Sequence, residues 1–496
     1  MHEHRKSDRP VVPAKPSNKP GIPGAEVVEG RGLPEGNTAG ETRPGRSAGG
    51  GVSSDLDRVR QVARKDRDVR FTALLHHVTV DRLREAYRAI SPNAAAGVDG
   101  VTWRDYGLDL EENLRDLHVR VHRGAYRARP TRRVFIPKPD GRLRPLGVAS
   151  LEDKIVQRAV VEVLNAVYEE DFLGFSYGFR PGRSQHDALD ALAVGITRKK
   201  VNYVLDADIR DFFGSLDRCW LLRFLEHRIA DRRVLRLIQK WLAAGVIEDG
   251  EWSETEEGTA QGASASPLLA NVYLHYVFDL WADQWRRRHA RGDVILTRYA
   301  DDFLAGFEHR DDAERFLADL RERFAGFGLE LHPEKTRLIE FGRFAAERRA
   351  ARGLRKPETF EFLGLTHMCA KTQSGRFKLK RVTSKKKMRA KLKDIKSEMR
   401  KRMHLPIPEQ GRWLARVLEG HYNYYAVPDN SEALRGFREQ VIQHWRTSLS
   451  RRSQKGQITW KRTARLADRW LPRPRILHPW PGARFDAKTQ GRSPVR

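Results

Sequence analysis

Cysteine is nearly missing from this chain: Cys219 and Cys369 are the two it has in 496 residues. That excludes a disulfide framework and any zinc site built on paired cysteines, and both thiols are expected as small buried residues. Long apolar runs are missing as well. No stretch of about 18 apolar residues occurs, and the N-terminus lacks the apolar core of a signal peptide, so a cytoplasmic location with no membrane partner is expected. Acid is the minority charge, 65 Asp plus Glu against 93 Lys plus Arg, which leaves a formal +28. So basic a chain calls for a polyanionic partner. Its cations lie among Trp, Tyr and Pro rather than along a lipid-facing apolar helix, which favours nucleic acid over an anionic membrane.

The length allows two or three domains. Residues 1 to about 52 are rich in Pro, Gly, Ser and charge, and are expected to be a disordered basic tail. Apolar residues then recur at helical spacing from Leu56 to Ile90 and again from Leu108 to Val121. The segment Arg132 to Val148 reads as a β-hairpin turning at Pro139-Asp140-Gly141, with Lys138 and Arg144 close together at its end. Ser150 caps a helix with a stripe through Ile155, Val156, Ala159, Val160, Val163 and Val167, and Ser266-Pro267 opens another. Strands alternate with helices in an irregular order, which predicts an α+β fold with a mixed or antiparallel sheet. Between Gly375 and Arg402 stand 14 Lys or Arg and two acids, with Met388, Leu392, Ile395, Met399 and Met403 at helical spacing. This predicts an amphipathic helix with a basic outer face suited to a duplex backbone.

The acids that remain are concentrated. Tyr299-Ala300-Asp301-Asp302 follows apolar Ile295-Leu296 and precedes Phe303-Leu304-Ala305, which places two adjacent carboxylates at a hairpin tip. Such a pair is unfavourable unless a cation sits between them, which points to a hard metal. Taken alone, an Asp-Asp dipeptide is more often a solvated turn. A second strand, Tyr203 to Phe213, changes that balance by bringing Asp206, Asp208 and Asp211. Carboxylates from two neighbouring strand ends can hold two Mg²⁺ ions about 3.5–4 Å apart, the clamp used in nucleotidyl transfer.

Eight motifs in order resemble the reverse transcriptases encoded by bacterial group II introns, the intron reverse transcriptase/maturase family. They are Gly97-Val98-Asp99-Gly100; Ile136-Pro137-Lys138 through Arg144-Pro145-Leu146-Gly147; Tyr177-Gly178-Phe179-Arg180-Pro181-Gly182-Arg183-Ser184; Asp208-Ile209-Arg210-Asp211-Phe212-Phe213; Gln261-Gly262 with Ser266 to Asn271; Tyr299-Ala300-Asp301-Asp302; Leu331 to Thr336; and Phe362-Leu363-Gly364. The resemblance runs from about Leu56 to about Phe485. It implies a right-hand polymerase of fingers, palm and thumb: tail 1–52, extension and fingers 53–200, palm 201–370, a helical thumb or maturase domain 371–451, and a basic DNA-binding segment 452–496.

Carried over by position, the resemblance makes Asp208 and Asp301 the bridging ligands of two Mg²⁺ ions. The Ile209 carbonyl completes one coordination sphere and Asp302 supports the site. Asp206 ranks below Asp208, because Asp208 alone precedes Ile209 and the Phe pair, and Asp211 is expected to be structural or exposed. Lys138 and Arg144 would neutralise the triphosphate, Phe213 would exclude a ribose 2′-hydroxyl, Gln261 would contact the incoming nucleotide, and Lys335 would be the acid toward pyrophosphate. Ala260 and Ala263-Ser264-Ala265 depart from the family's pattern in that loop. Arg183, Lys385, Lys386, Lys387, Arg389, Tyr424, Trp460 and Arg473 are candidate nucleic-acid contacts, with core packing the competing role for Tyr424 and Trp445.

The implied partners are a group II intron RNA, target DNA and dNTP, the implied place the bacterial nucleoid, and the implied state a monomer or homodimer. The resemblance stops short of the family's His-Asn-His endonuclease domain, so a form primed by another strand is expected. A splicing factor without polymerase activity, or a reverse transcriptase domesticated for host defence, are the rival readings; intact Asp208, Asp301, Asp302, Lys138 and Arg144 argue against the first.

Overall fold

The computed structural model describes residues 52–137, 143–248, 251–253, 263–452 and 457–489. The expected tail lies almost wholly outside the described residues, as do the Pro139-Asp140-Gly141 turn, Lys138 and Gln261.

Eleven strands carry the described framework. They are β1 (Thr131–Pro137), β2 (Leu143–Val148), β3 (Tyr203–Ala207), β4 (Val246–Glu248), β5 (Glu251–Ser253) and β6 (Val294–Tyr299), followed by β7 (Asp302–Phe307), β8 (Arg337–Glu340), β9 (Phe360–Phe362), β10 (Leu365–Lys371) and β11 (Phe377–Thr383). The hairpin of β1 and β2 is in the expected register, Pro137 opposite Leu143 and Ile136 opposite Arg144. β1 also pairs in parallel with β4, which makes a mixed sheet in the order β2-β1-β4-β5. The central sheet, β6-β7-β3-β8, is antiparallel throughout.

Period-two alternation divides the central sheet between two cores. Leu205, Ala207, Leu296, Phe303, Ala305 and Phe307 face one core, which the helix Leu151–Asp171 also enters. Val204, Ile295, Leu304 and Ile339 face the other, shared with the C-terminal helices. Ser150 caps Leu151–Asp171 by accepting the Asp153 N–H, as its sequence predicts. The apolar spacing from Leu56 to Ile90 resolves into two helices, Val52–Lys65 and Val80–Arg88, and the next stripe is Leu110–Arg123. The helix Ser266–Leu274 runs through a π-helical turn, His275–Asp279, into Leu280–Arg288.

Two expectations are corrected. The basic run 375–402 is not one helix: its first half is β11, whose Leu379, Arg381 and Thr383 alternate inward, and the helix is Lys385–Lys401. Arg381 takes an inward place because Asp190 pairs with it at 2.7 Å, so a buried cation masks the strand pattern. Cys219 is exposed rather than buried, because Trp220 and Leu221 beside it carry the inward face of the helix Arg218–Glu226.

The helices Ile407–Tyr425 and Ser431–Ser450 pack through Leu414, Leu418, Val441 and Trp445, whose indole N–H donates to Gln410 at 2.9 Å. Ile395 and Met399 join the same core from Lys385–Lys401, as its apolar stripe predicts. No described helix is long and apolar enough to cross a membrane.

Candidate active site

Register alone brings the acids together. β3 ends with Ala207 opposite Phe303, so one further step sets Asp208 against Asp302, the first residue of β7. Tyr299 pairs with Asp302 across a two-residue turn, Ala300-Asp301, which is the hairpin tip the sequence predicts. Opposed side chains of antiparallel strands share a face, so Asp208 and Asp302 stand together, with Asp206 on the same face.

The backbone beyond β3 also has a direction. Arg210 donates its N–H to the Glu330 carbonyl and His332 donates to the Asp208 carbonyl, each at 2.8 Å, with Ile209 bridged to Leu331 between them. In that pairing the carbonyl of Ile209 itself points away from Leu331, toward the β7 side where Asp301 and Asp302 lie.

The acids interact strongly. Burial among the strands, and then the carboxylates of Asp301, Asp208 and Asp206, push Asp302 up to about 7, while Lys387 pulls it down. Its outer edge still opens to solvent. The Lys335 ammonium contacts the Asp208 carboxylate, and Arg337 reaches Asp206 at 3.1 Å. Lys335 thus meets Asp208 rather than its sequence neighbour Glu334. Among the described residues no group of three or more Asp, Glu, His or Cys side chains is gathered closely enough to be a ready-made metal site. The carboxylates stand near enough to raise one another's proton affinity, and Lys335 and Arg337 offset part of their charge.

Other predicted residues fall in several places. Phe213 is half-buried, edge-on to buried Phe212 at 5.2 Å between ring centroids. Asp211 is exposed, as expected, with φ at +40°. Arg144 is placed by its backbone in β2, its side chain lying outside the described residues. Lys385, Lys386, Lys387 and Arg389 are exposed along the start of their helix, which Ser384 caps. Trp460 is exposed with the Arg446 guanidinium 4.4 Å from its ring centre, and Arg473 is exposed beside Asp468.

Arg183 and Tyr424, both half-buried, make contacts within the fold. Arg183 donates to the Gly174 carbonyl at 2.7 Å and lies over the Tyr177 ring. Tyr424 donates its hydroxyl to the Leu363 carbonyl at 2.7 Å, and burial raises its phenol. The sequence reading passed over Arg298 and Asp279, both fully buried and paired directly behind the turn. Their available signal was a cation at an inward position of an otherwise apolar strand.

Aspartates at adjoining strand ends of an α+β fold suit metal-assisted nucleotidyl transfer. Comparison with known proteins narrows it. The reverse transcriptase (RNA-dependent DNA polymerase) family matches residues 136–367. Protein YkfC of Escherichia coli is 34% identical over 276 residues, covering 49% of this chain and 72% of that protein. Group II intron-encoded protein LtrA of Lactococcus lactis is 32% identical over 222 residues, 44% of this chain and 37% of LtrA. A 91 kDa protein in the cob intron of Schizosaccharomyces pombe is 40% identical over 146 residues, 29% of this chain and 18% of that protein. The chain belongs to the group II intron-encoded reverse transcriptase/maturase family, and its activity is that of an RNA-directed DNA polymerase.

Proposed function

We propose that this polymerase binds its own group II intron RNA, assists its splicing, and copies that RNA into DNA at an insertion site. The observation that carries the reading is the register that sets Asp208 against Asp302 with Asp301 in the adjoining turn. In this reading the central sheet is the palm (201–370), the segment 53–200 with the β1-β2 hairpin forms the fingers, the helices of 371–451 the thumb, and 452–496 the segment that meets target DNA.

Asp208, Asp301 and the Ile209 carbonyl would hold two Mg²⁺ ions, which when bound neutralise the acids and activate a primer 3′-hydroxyl. The orientation of Ile209 and the unrelieved repulsion among the acids support that donor set. Lys335, which contacts Asp208, would give a proton to the leaving pyrophosphate. Phe213 would pack beneath the sugar and reject a 2′-hydroxyl, and Lys138, Arg144 and Gln261 would hold the triphosphate and base. The exposed cations Lys385, Lys386, Lys387 and Arg389, with Trp460 and Arg473, supply a surface for RNA and DNA.

The splicing chemistry belongs to the RNA, so it needs the surface but not the acids. With Asp301→Ala, RNA-templated dNTP incorporation should vanish while protein-assisted splicing survives. Loss of both activities in a folded variant would sink the division of roles.

A further inference from the structure

Arg298 ends the apolar part of β6, one residue before Tyr299. Its guanidinium and the Asp279 carboxylate are both fully buried. A buried ion pair is costly unless every donor finds an acceptor, and replacing it with apolar groups is often neutral for stability. Here all five N–H donors are used. Nε and Nη2 donate to Asp279 at 2.7 and 2.5 Å, Nη2 also to the Ser176 hydroxyl at 2.7 Å, and Nη1 to Asn271 and to the Ala300 carbonyl, each at 2.9 Å.

Those acceptors lie on three separate stretches of chain that meet at the catalytic turn. Ala300 has φ at +58°, a left-handed conformation that an alanine adopts only when its surroundings enforce it. Gly178 presses on it from behind: a Cβ there would stand 2.2 Å from the Ala300 nitrogen. Asn271 donates to the Gly178 carbonyl at 2.7 Å while accepting from Arg298, which ties the pressing backbone to the same guanidinium. Main-chain bonds complete the clamp, Tyr177 N–H to the Arg298 carbonyl and Arg298 N–H to the Phe175 carbonyl, each 2.8 Å. Asp279 itself closes the π-helical turn, where a helix admits one extra residue per turn.

We propose that Arg298, oriented by Asp279 and Asn271, is a positioning residue for the polymerase: it fixes the Ala300 carbonyl and so the direction in which Asp301 presents its carboxylate. The inference rests on Asp301 and Asp302 being the catalytic acids.

The test compares Arg298→Lys and Asn271→Ala with Arg381→Lys, which alters an equally buried arginine paired with Asp190. Five quantities are measured on the full chain: kcat and KM for dNTP on an RNA template, the Mg²⁺ concentration giving half-maximal rate, the rise in Tm on adding Mg²⁺, and primer–template affinity. Arg298→Lys is expected to lower kcat about 10²-fold, raise the Mg²⁺ requirement about 10-fold and shrink the Mg²⁺-dependent Tm rise, with primer–template affinity unchanged. Asn271→Ala, which leaves the ion pair in place, should move the same quantities less far. Arg381→Lys should lower Tm without moving the Mg²⁺ requirement. If both turn variants lose only Tm, as Arg381→Lys does, or if Asn271→Ala is silent where Arg298→Lys does not fold, the proposal is overturned. Asp301→Ala, run in parallel, separates the two ideas: continued polymerisation there would remove the catalytic assignment itself, whatever Arg298 does.

Discussion

The central sheet and the C-terminal helices use charge in opposite ways. In the sheet, Asp206, Asp208, Asp301 and Asp302 crowd together at strand ends, and three cations near them are committed to a named partner: Lys335 to Asp208, Arg337 to Asp206, Arg298 to Asp279. On the helix Lys385–Lys401 the cations at its start stand exposed to solvent. Placement by register leaves little room for exchange, because a single step along a strand turns a side chain to the other face. Placement on an exposed helix makes each lysine one contributor among several, since a polyanion senses their sum. The difference separates chemistry from grip, and each region should fail in its own manner.

The largest expected effect is at the acids. Asp208→Ala or Asp301→Ala should cut RNA-templated incorporation on the order of 10³-fold or more, with RNA affinity within experimental error of the parent in a filter-binding titration. Comparable loss from Asp211→Ala would break the comparison, since that exposed acid lies outside the facing pair. Lys335→Gln should come next, lowering kcat about 10²-fold with little change in KM for dNTP. A rate near that of the parent would reduce Lys335 to a counterion for Asp208 in the metal-free protein.

The acid site was legible in the sequence because its geometry is local. Alternation on either side of Ala300-Asp301 specifies a hairpin, and Asp206-Ala207-Asp208 at the end of Tyr203–Ala207 specifies which acids share a face. The strand order β6-β7-β3-β8 was not legible, because it joins segments about a hundred residues apart. Nor was the strand Phe377–Thr383: its inward Arg381 resembles the lysines that follow until Asp190 is seen opposite. The fold contacts of Tyr424 and Arg183 were hidden for the same reason. Their partners are backbone carbonyls, Leu363 and Gly174, which no residue pattern advertises. Arg298 shows the converse, a cation whose inward position was readable but whose purpose required Asn271, Asp279 and Ser176 to be seen around it.

The grip of the helical region should weaken by degrees. Replacing Lys385, Lys386 and Lys387 together by Gln should reduce the slope of log affinity against log salt by about 2 to 3, while each single change lowers it by less than 1. Incorporation at saturating primer–template should stay near the parent rate. One exception would sharpen the boundary between the regions: Lys387 lies close enough to pull Asp302 down, so among the three it is the one expected to touch kcat as well.

The smallest effect is the most diagnostic of why the acids are there. A carboxyl whose folded value is raised to about 7, against about 3.9 for an unfolded chain, binds its proton more tightly in the folded state. Stability from that group is therefore present in acid and is lost as pH climbs from about 4 through about 7. Asp302→Asn has no charge to gain, so the metal-free variant should match the parent near pH 4 and exceed it above pH 7. Because Asp302 opens to solvent, screening holds the difference to about 1 kcal/mol. Millimolar Mg²⁺ should stabilise both, the parent more because it also relieves the charge on Asp302, and so narrow the gap. Chemical denaturation at pH 4.5, 6 and 8, with Mg²⁺ or with chelator, measures all of this. A gap that is the same at every pH would mean that Asp302 is not held in repulsion with its neighbours, and the contrast between a strained acid site and a relaxed basic surface would lose its physical basis.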